Sequence, residues 1–191
     1  MLTADQIITL LNLEPLPHEG GSFKEMYRAR DIIVANRDSG PTPRAASTQI
    51  YYLLRQGETS ALHKVRSDEV FHHYMGDPVH QLIIRESETA GQPKLETHEQ
   101  VLSPNLEEGH RPQLLAPADM WQGCCLLADS PGLKHTPTHG YALLGCTVAP
   151  GFEWEDFELI TQPHAKKLAD QLPDHTDLIN LLTPTQGRTR A

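Results

Sequence analysis

Residues 57–76 read GETSALHKVRSDEVFHHYMG, and this stretch decides how the 191-residue sequence is interpreted. Five residues separate Gly57 from His63, five separate His63 from Glu69, and six separate Glu69 from Gly76. The pattern predicts two strands joined by a short turn, a hairpin that points the His63 and Glu69 side chains to one face. An imidazole and a carboxylate that converge inside a β-structure can bind a divalent metal or act as a base and its orienting partner. The spacing alone also fits an exposed strand glutamate and a structural core histidine.

Short apolar segments separated by turn residues extend in both directions from this stretch. The breaks between them are rich in proline and glycine, as at residues 36–43 and at Pro150-Gly151, and no stretch between them has the length of a crossover helix. The pattern therefore predicts an antiparallel sandwich or barrel rather than a parallel sheet. The predicted strands are SFKEMYRA, DIIVAN, STQIYYLL, SALHKV, EVFHHYM, VHQLIIR, KLETHEQ, PQLLA, WQGCCLLA, YALLGCTV and DFELIT.

Helical patterns flank this β-rich region at both ends. Thr3 and Gln6 form a capping-box pattern that predicts a helix at about residues 3–12. Pro163 opens the first of two short helices predicted within residues 163–183. With a β core at about residues 20–162 and no internal repeat or linker, we expect a single domain over residues 1–191.

The composition disfavours several classes of protein. Lysine and arginine number 16 against 25 acidic residues, and the formal net charge of −9 argues against a nucleic-acid partner. No apolar run reaches the roughly 18 residues of a membrane span, and the start lacks the pattern of a signal peptide, so we expect no membrane partner and a cytoplasmic location. The adjacent Cys124 and Cys125 and one further cysteine favour reduced thiols over a disulfide framework or a structural zinc site. An acidic run at residues 153–158 is expected to alternate toward solvent.

The spacing of residues 57–76 resembles the first cupin motif, G-x5-H-x-H-x(3,4)-E-x6-G, with Val65 where the second histidine belongs. A remnant of the second cupin motif lies at residues 117–122, where Asp119 replaces a glycine and Gln122 replaces a histidine. Four longer segments resemble the cupin-5 family, formerly a domain of unknown function, and this resemblance covers nearly the whole chain. The segments are HEGGSFKEMYRA, STQIYYLL, SALHKVRSDEVFHHYMGDPV and LLGCTVAPGFEWEDFEL.

The resemblance implies an all-β fold, the cupin double-stranded β-helix. This is a jelly-roll barrel of two packed antiparallel sheets, here with short helices at both ends and one mouth open to a small ligand. The family is described as similar to the sugar epimerases of the deoxysugar-nucleotide pathway. The resemblance therefore implies a small-molecule ligand, either a sugar nucleotide or another carbonyl compound.

Three functions fit these residues. The first, which the likeness to sugar epimerases implies, is an isomerase or epimerase in which His63 is the base and Glu69 holds its tautomer. The second is a metal-dependent oxygenase, decarboxylase or lyase in which Zn, Ni, Mn or Fe is bound by His63, Glu69 and whichever of Gln122 or His73 faces inward. Because Val65 and Gln122 stand where imidazoles are usual, only two strong ligands remain, and we expect no tightly bound metal. The third function is small-molecule binding without catalysis.

Other residues are candidates for contact with the substrate. Arg28 can pair with a phosphate or carboxylate, or form a structural salt bridge. Trp121 can stack on a sugar, or pack in the core. Alternation from Glu69 points His73 inward unless a bulge reverses it. The predicted substrate-binding residues are Tyr27, Arg28, Tyr52, His73, Trp121 and Gln122. The acid of the first function is open among Tyr27, Tyr51, Tyr52 and Tyr74.

The oligomeric state is predicted from two strands, QIYYLL and QLIIR. Their apolar residues do not alternate clearly with polar ones, so both faces of each strand need cover. We expect a homodimer to provide it.

Overall fold

β-Strands make up about half of the described chain. The structure, a computed structural model, describes residues 2–37, 39–89 and 92–184. Its α-helices are α1 (Ala4–Leu11), α2 (Gln162–Gln171) and α3 (Thr176–Leu181). Its strands are β1 (Glu14–Pro15), β2 (Ser22–Arg28), β3 (Ile32–Arg37), β4 (Gly40–Ala45), β5 (Thr48–Arg55), β6 (Thr59–Val65), β7 (Asp68–Gly76), β8 (Val79–Thr89), β9 (Gln92–Leu102), β10 (Gln113–Ala116), β11 (Trp121–Leu126), β12 (Tyr141–Ala149) and β13 (Phe157–Leu159).

The strands build two sheets that pack face to face. One has six strands in the order β1-β2-β5-β12-β7-β10, and the other has five in the order β13-β6-β11-β8-β9. Every pairing between these strands is antiparallel. Alternate residues of both sheets, such as Tyr52 and Leu54 on one and Cys124 and Leu126 on the other, meet in the core between them. The predicted jelly roll with short terminal helices is confirmed, although the sheets do not close into a continuous barrel.

The predicted hairpin between β6 and β7 is wrong. β6 pairs with β11 and β13, whereas β7 pairs with β12 and β10 in the opposite sheet. The short turn after Val65 thus carries the chain from one sheet to the other. A tight turn fits either connection, and the pairing is decided by strands distant in sequence. His63 and Glu69 approach each other across the interior instead of along one face.

The expected break at residues 36–43 is also corrected. Most of it belongs to a separate two-stranded ribbon in which β3 pairs with β4. Pro41 and Pro43 lie within β4. Both strands of such a ribbon are edges, so a proline can leave its missing N–H on the unpaired side.

Helices of the same chain cover the outer faces of the sheets. The capping box of α1 forms as predicted, and Ile7 packs on Leu53 and Leu143 of the six-stranded sheet. α2 and α3 pack on the outer face of the other sheet, which includes Leu82 and Ile84. The apolar faces that suggested a homodimer are therefore covered without a second chain. No helix in the described ranges is long and apolar enough to cross a membrane.

Candidate functional site

A cavity of about 120 Å³ opens between the two sheets. Four of the predicted site residues line it: Arg28, Tyr52, His63 and Glu69. Tyr52, His63 and Glu69 form its buried end, whereas Arg28 lies toward solvent. Most of the remaining wall is apolar, so charges inside the cavity interact in a low-dielectric environment.

His63 is held in one tautomer by the backbone of its own strand. The imidazole is 2% exposed, and its Nδ1 lies 2.7 Å from the carbonyl oxygen of Ala61. Because a carbonyl can only accept, Nδ1 carries the hydrogen, and Nε2 of the neutral ring is left with a free electron pair. The ring also stacks on Phe157 with centroids 5.1 Å apart. Ala61 thus performs the orienting role that the sequence analysis gave to Glu69, and Nε2 has the form of a base.

Glu69 reaches the cavity from the opposite sheet. Its carboxylate accepts a hydrogen bond of 2.8 Å from Nε2 of Gln122. Burial raises the pKa of Glu69 to about 7; the electrostatic interaction with His63 opposes this rise, and the negative charge of Glu19 reinforces it. A carboxyl group with this pKa can donate or accept a proton near neutral pH.

Gln122 supports Glu69 from behind the cavity wall. It is the cross-strand partner of His63 on β11, is 3% exposed and does not line the cavity. Its amide N–H is directed at Glu69, while its Oε1 has no hydrogen-bond partner in the described part of the chain. The residue that stands at a usual cupin ligand position therefore acts here on the carboxylate.

The donor set does not fit a tightly bound metal ion. Such a site normally needs three protein ligands, and here Val65 lines the cavity where the second motif histidine would stand. Gln122 turns its N–H toward Glu69, and this group cannot bind a cation. Within residues 2–37, 39–89 and 92–184, no group of three or more His, Cys, Asp or Glu residues is arranged to hold a metal.

Besides Gln122, three predicted substrate-binding residues lie outside the cavity wall. Tyr27 is 51% exposed on β2. Nε2 of His73 lies 3.1 Å from the carbonyl oxygen of Asp77, near the end of β7. Trp121 is buried in the cluster under α2 and α3, and its Nε1 donates to Glu86. Successive strand residues point to opposite faces, so Trp121 faces outward where its neighbour Gln122 faces inward.

Tyr52 is the tyrosine that reaches the cavity among the four considered as the acid. Its hydroxyl donates to the carbonyl oxygen of Gly20 at 3.0 Å, and burial raises its pKa well above 10. Tyr51 packs on the α1 side of the sheet, and Tyr74 is 47% exposed. The proton of Tyr52 is thus engaged with the backbone, which leaves Glu69 as the acid better suited to neutral pH.

The exposed end of the cavity contains residues that the sequence analysis did not select. Arg28 forms ion pairs with Glu25 at 2.8 Å and with Glu153 at 2.6 Å. Phe152 and Trp154 lie beside it, with ring centroids 5.3 Å apart. These residues belong to SFKEMYRA and APGFEWEDFEL, within two of the segments that carry the family resemblance.

Asp156 fixes the loop that bears this exposed end. It is 5% exposed and accepts hydrogen bonds from Arg44 Nε at 2.8 Å and from Arg37 Nη2 at 3.0 Å. Hydrogen bonding to Arg44 holds the pKa of Asp156 below its ordinary value. The expectation that the whole acidic run at residues 153–158 faces solvent is therefore wrong at Asp156, because two arginines of the β3–β4 ribbon neutralise it inside the protein.

The chain also resembles proteins of known sequence and structure. Residues 5–160 match a family described as Cupin superfamily (DUF985). The chain belongs to this cupin family. The family resemblance inferred from the sequence motifs is thereby confirmed. A search of curated proteins finds no match to this cupin.

Solved structures extend the comparison. A hypothetical protein from Leishmania major is 29% identical, with a TM-score of 0.79, over 96% of this cupin and 100% of that chain. A protein from Shewanella oneidensis is 30% identical, with a TM-score of 0.72, over 97% of this cupin and 100% of that chain. A dTDP sugar isomerase from Desulfovibrio desulfuricans is 11% identical over 73% of this cupin and 84% of that chain, with a TM-score of 0.46, too distant to bear on function.

Proposed function

We propose that this cupin is an isomerase or epimerase that moves a proton on a carbon atom next to the carbonyl group of a small molecule. The observation that carries the proposal is a pair of buried proton-transfer groups, His63 and Glu69, that line one cavity from opposite sheets. The geometry of each group supports these roles: in the neutral ring of His63 the hydrogen lies on Nδ1 and Nε2 keeps its electron pair, and burial raises the pKa of Glu69 to about 7.

The two groups can complete the reaction without a redox step. Nε2 of His63 removes the proton from the carbon, and the electron pair of the broken C–H bond moves to the carbonyl oxygen. That oxygen takes the proton of neutral Glu69, which gives an enol. His63 can then return its proton to the neighbouring carbon while the ionised Glu69 takes the proton of a hydroxyl group on the first carbon, which gives an isomer and restores both groups. Alternatively, solvent delivers a proton to the other face of the first carbon, Glu69 recovers the enol proton and His63 releases its proton to solvent, which gives an epimer. The largely apolar remainder of the wall strengthens the electrostatic interactions in both transfers, because it provides a low-dielectric environment.

Deuterium exchange tests this proposal directly. Wild-type protein is incubated in D2O with a panel of small aldoses and ketoses, and the signal of the C–H next to the carbonyl is followed by proton NMR. We expect exchange with at least one member of the panel. His63→Asn should lower kcat about 10²–10⁴-fold, far more than it changes KM, and Glu69→Gln should do so less severely.

The matched control is His98→Asn, which alters an exposed histidine on β9 outside the cavity and should keep full turnover. Full turnover by His63→Asn would contradict the proposal. Binding of a carbonyl compound with no exchange at all would replace it with the binding-protein function.

We also propose a homodimer, on an observation different from the one that first suggested it. Ile32 and Val34 on β3 are 63% and 70% exposed, and such apolar surface is typical of an interface. Light scattering at micromolar concentration should report about twice 21.3 kDa. A mass of one chain would contradict it.

The free cysteines Cys124, Cys125 and Cys146 support our proposal of a cytoplasmic location.

A further inference from the structure

The charged groups around the cavity limit the ligands that it can take. Four carboxyl groups line it, two toward the interior and two toward solvent: Glu19, Glu69, Glu25 and Glu153. Among the described residues of the cavity wall, Arg28 is the one lysine or arginine. The wall therefore has an excess of negative charge unless a ligand supplies a cation.

Arg28 is not available to hold an anionic ligand. Its Nη1 donates to Glu153 and its Nε and Nη2 donate to Glu25, while Nη2 also donates to the carbonyl oxygen of Phe152 at 3.2 Å. A phosphate that bound here would have to displace two carboxylates and would then face both of them. Repulsion of this kind disfavours phosphorylated and nucleotide-linked sugars.

Glu19 can instead bind a positively charged group of the ligand at the interior of the cavity. Its carboxylate accepts a hydrogen bond of 2.6 Å from the hydroxyl of Ser60. Its negative charge raises the pKa values of Glu69 and Tyr52, so it acts on the buried end of the cavity. An ammonium group on the ligand would pair with this carboxylate in a poorly solvated place, where charge-assisted hydrogen bonds are strongest.

The aromatic wall favours the same charge. Phe152, Trp154 and Phe157 pack edge to face, with the centroids of Trp154 and Phe157 5.5 Å apart. Faces of such rings attract cations. The size of the cavity limits the ligand further: at roughly 10–15 Å³ per water molecule, 120 Å³ holds on the order of ten non-hydrogen atoms, about one monosaccharide.

We propose that the ligand of this cavity is an amine-bearing, positively charged molecule of about monosaccharide size, and not a phosphorylated or nucleotide-linked sugar. This inference rests on the proposed function, because it concerns the same cavity. It is supported by the paired state of Arg28, the carboxylate of Glu19 and the aromatic wall.

A matched set of three polyols tests the inference by calorimetry at pH 7.5. The probes are 1-amino-1-deoxy-D-glucitol, D-glucitol and D-glucitol 6-phosphate, which differ in charge and lack a carbonyl group, so binding is read without turnover. We expect the amine to bind at least about tenfold more tightly than D-glucitol, and the phosphate to bind most weakly. Glu19→Gln should remove most of the preference for the amine. Glu107→Gln, an exposed carboxyl outside the cavity, should leave it unchanged.

The outcomes separate this inference from the proposed function. Three outcomes would overturn the inference. They are tighter binding of the phosphate than of the amine, equal binding of the amine and D-glucitol, and no binding of the amine at about 10 millimolar, a concentration that detects even a very weak site. A preference for the amine together with no deuterium exchange on any carbonyl compound would sink the proposed function and leave the inference standing.

Discussion

Glu69 should make the stability of this cupin depend on pH in a direction unusual for a carboxyl group. Because burial raises its pKa from 4.5 to about 7, the folded protein keeps a proton that the unfolded chain releases between these pH values. The contribution of Glu69 to the free energy of unfolding should therefore fall as the pH rises from 4.5 to 7, and then stay level. At 1.36 kcal/mol per pH unit, the loss is about 3 kcal/mol.

Glu69→Gln isolates this contribution, since the amide has nearly the same shape and keeps an oxygen that accepts the N–H of Gln122. Urea unfolding of both proteins at several pH values from 4.5 to 8.5 gives the difference in free energy, in which the other titrating groups cancel. The variant should match the wild type at the acidic end and be about 3 kcal/mol more stable above pH 8. The exposed control Glu107→Gln should stay within about 0.5 kcal/mol of the wild type throughout. A difference for Glu69→Gln that changes by less than about 1 kcal/mol would refute the claim that burial holds this proton.

Two further predictions concern the frame around the cavity. Asp156→Ala leaves Arg44 buried without its main partner and should lower the free energy of unfolding, measured in urea, by about 3–5 kcal/mol. The control Glu155→Ala, which removes a side chain that is 80% exposed, should lower it by less than about 1 kcal/mol. Equal losses would contradict the importance of the buried ion pair. Gly76→Ala should cost at least about 3 kcal/mol, because φ is +99° and the new Cβ would lie 2.2 Å from the carbonyl oxygen of Tyr141. Gly57→Ala, at φ +79° with open space around it, should cost about 1–2 kcal/mol, and an equal loss from both would show that the close contact does not matter.

The sequence predicts the strands and helices of the fold better than it predicts which strands pair with each other. Alternating apolar residues and regular breaks specify strands, and the capping box at Thr3 specifies the first helix, because these are local effects of the backbone. The turn after Val65 is also a local feature, and the sequence predicts it. Its strands pair with distant partners, and a single sequence contains no local term for that choice. Pro41 and Pro43 misled for a related reason: proline argues against a strand only where both edges are paired.

The candidate site divides in the same way. The spacing within one short segment selects His63 and Glu69, and both side chains line the cavity. Trp121 could have been placed correctly, since a neighbour of inward-facing Gln122 on a strand must face outward. Glu19 and Glu153 could not have been selected, because they come from loops at opposite ends of the β core and meet only through the tertiary fold. The family segments contain both residues but do not say which face the cavity.

The energetic cost of Glu69 is itself an argument about function. A buried carboxyl that costs about 3 kcal/mol above neutral pH is poorly suited to a purely structural role, since the isosteric amide would avoid the penalty. Gln122 donates its N–H to this carboxylate, while its Oε1 has no hydrogen-bond partner in the described part of the chain. This unpaired buried oxygen is a second unfavourable feature that accompanies the carboxyl group of Glu69. Sites that lower stability in this way are typical of places where chemistry is performed. Glu69→Gln should therefore raise the free energy of unfolding above pH 7 and, in the same protein, reduce deuterium exchange. A variant that gained stability but kept full exchange would show that the carboxyl group of Glu69 is not needed for the chemistry.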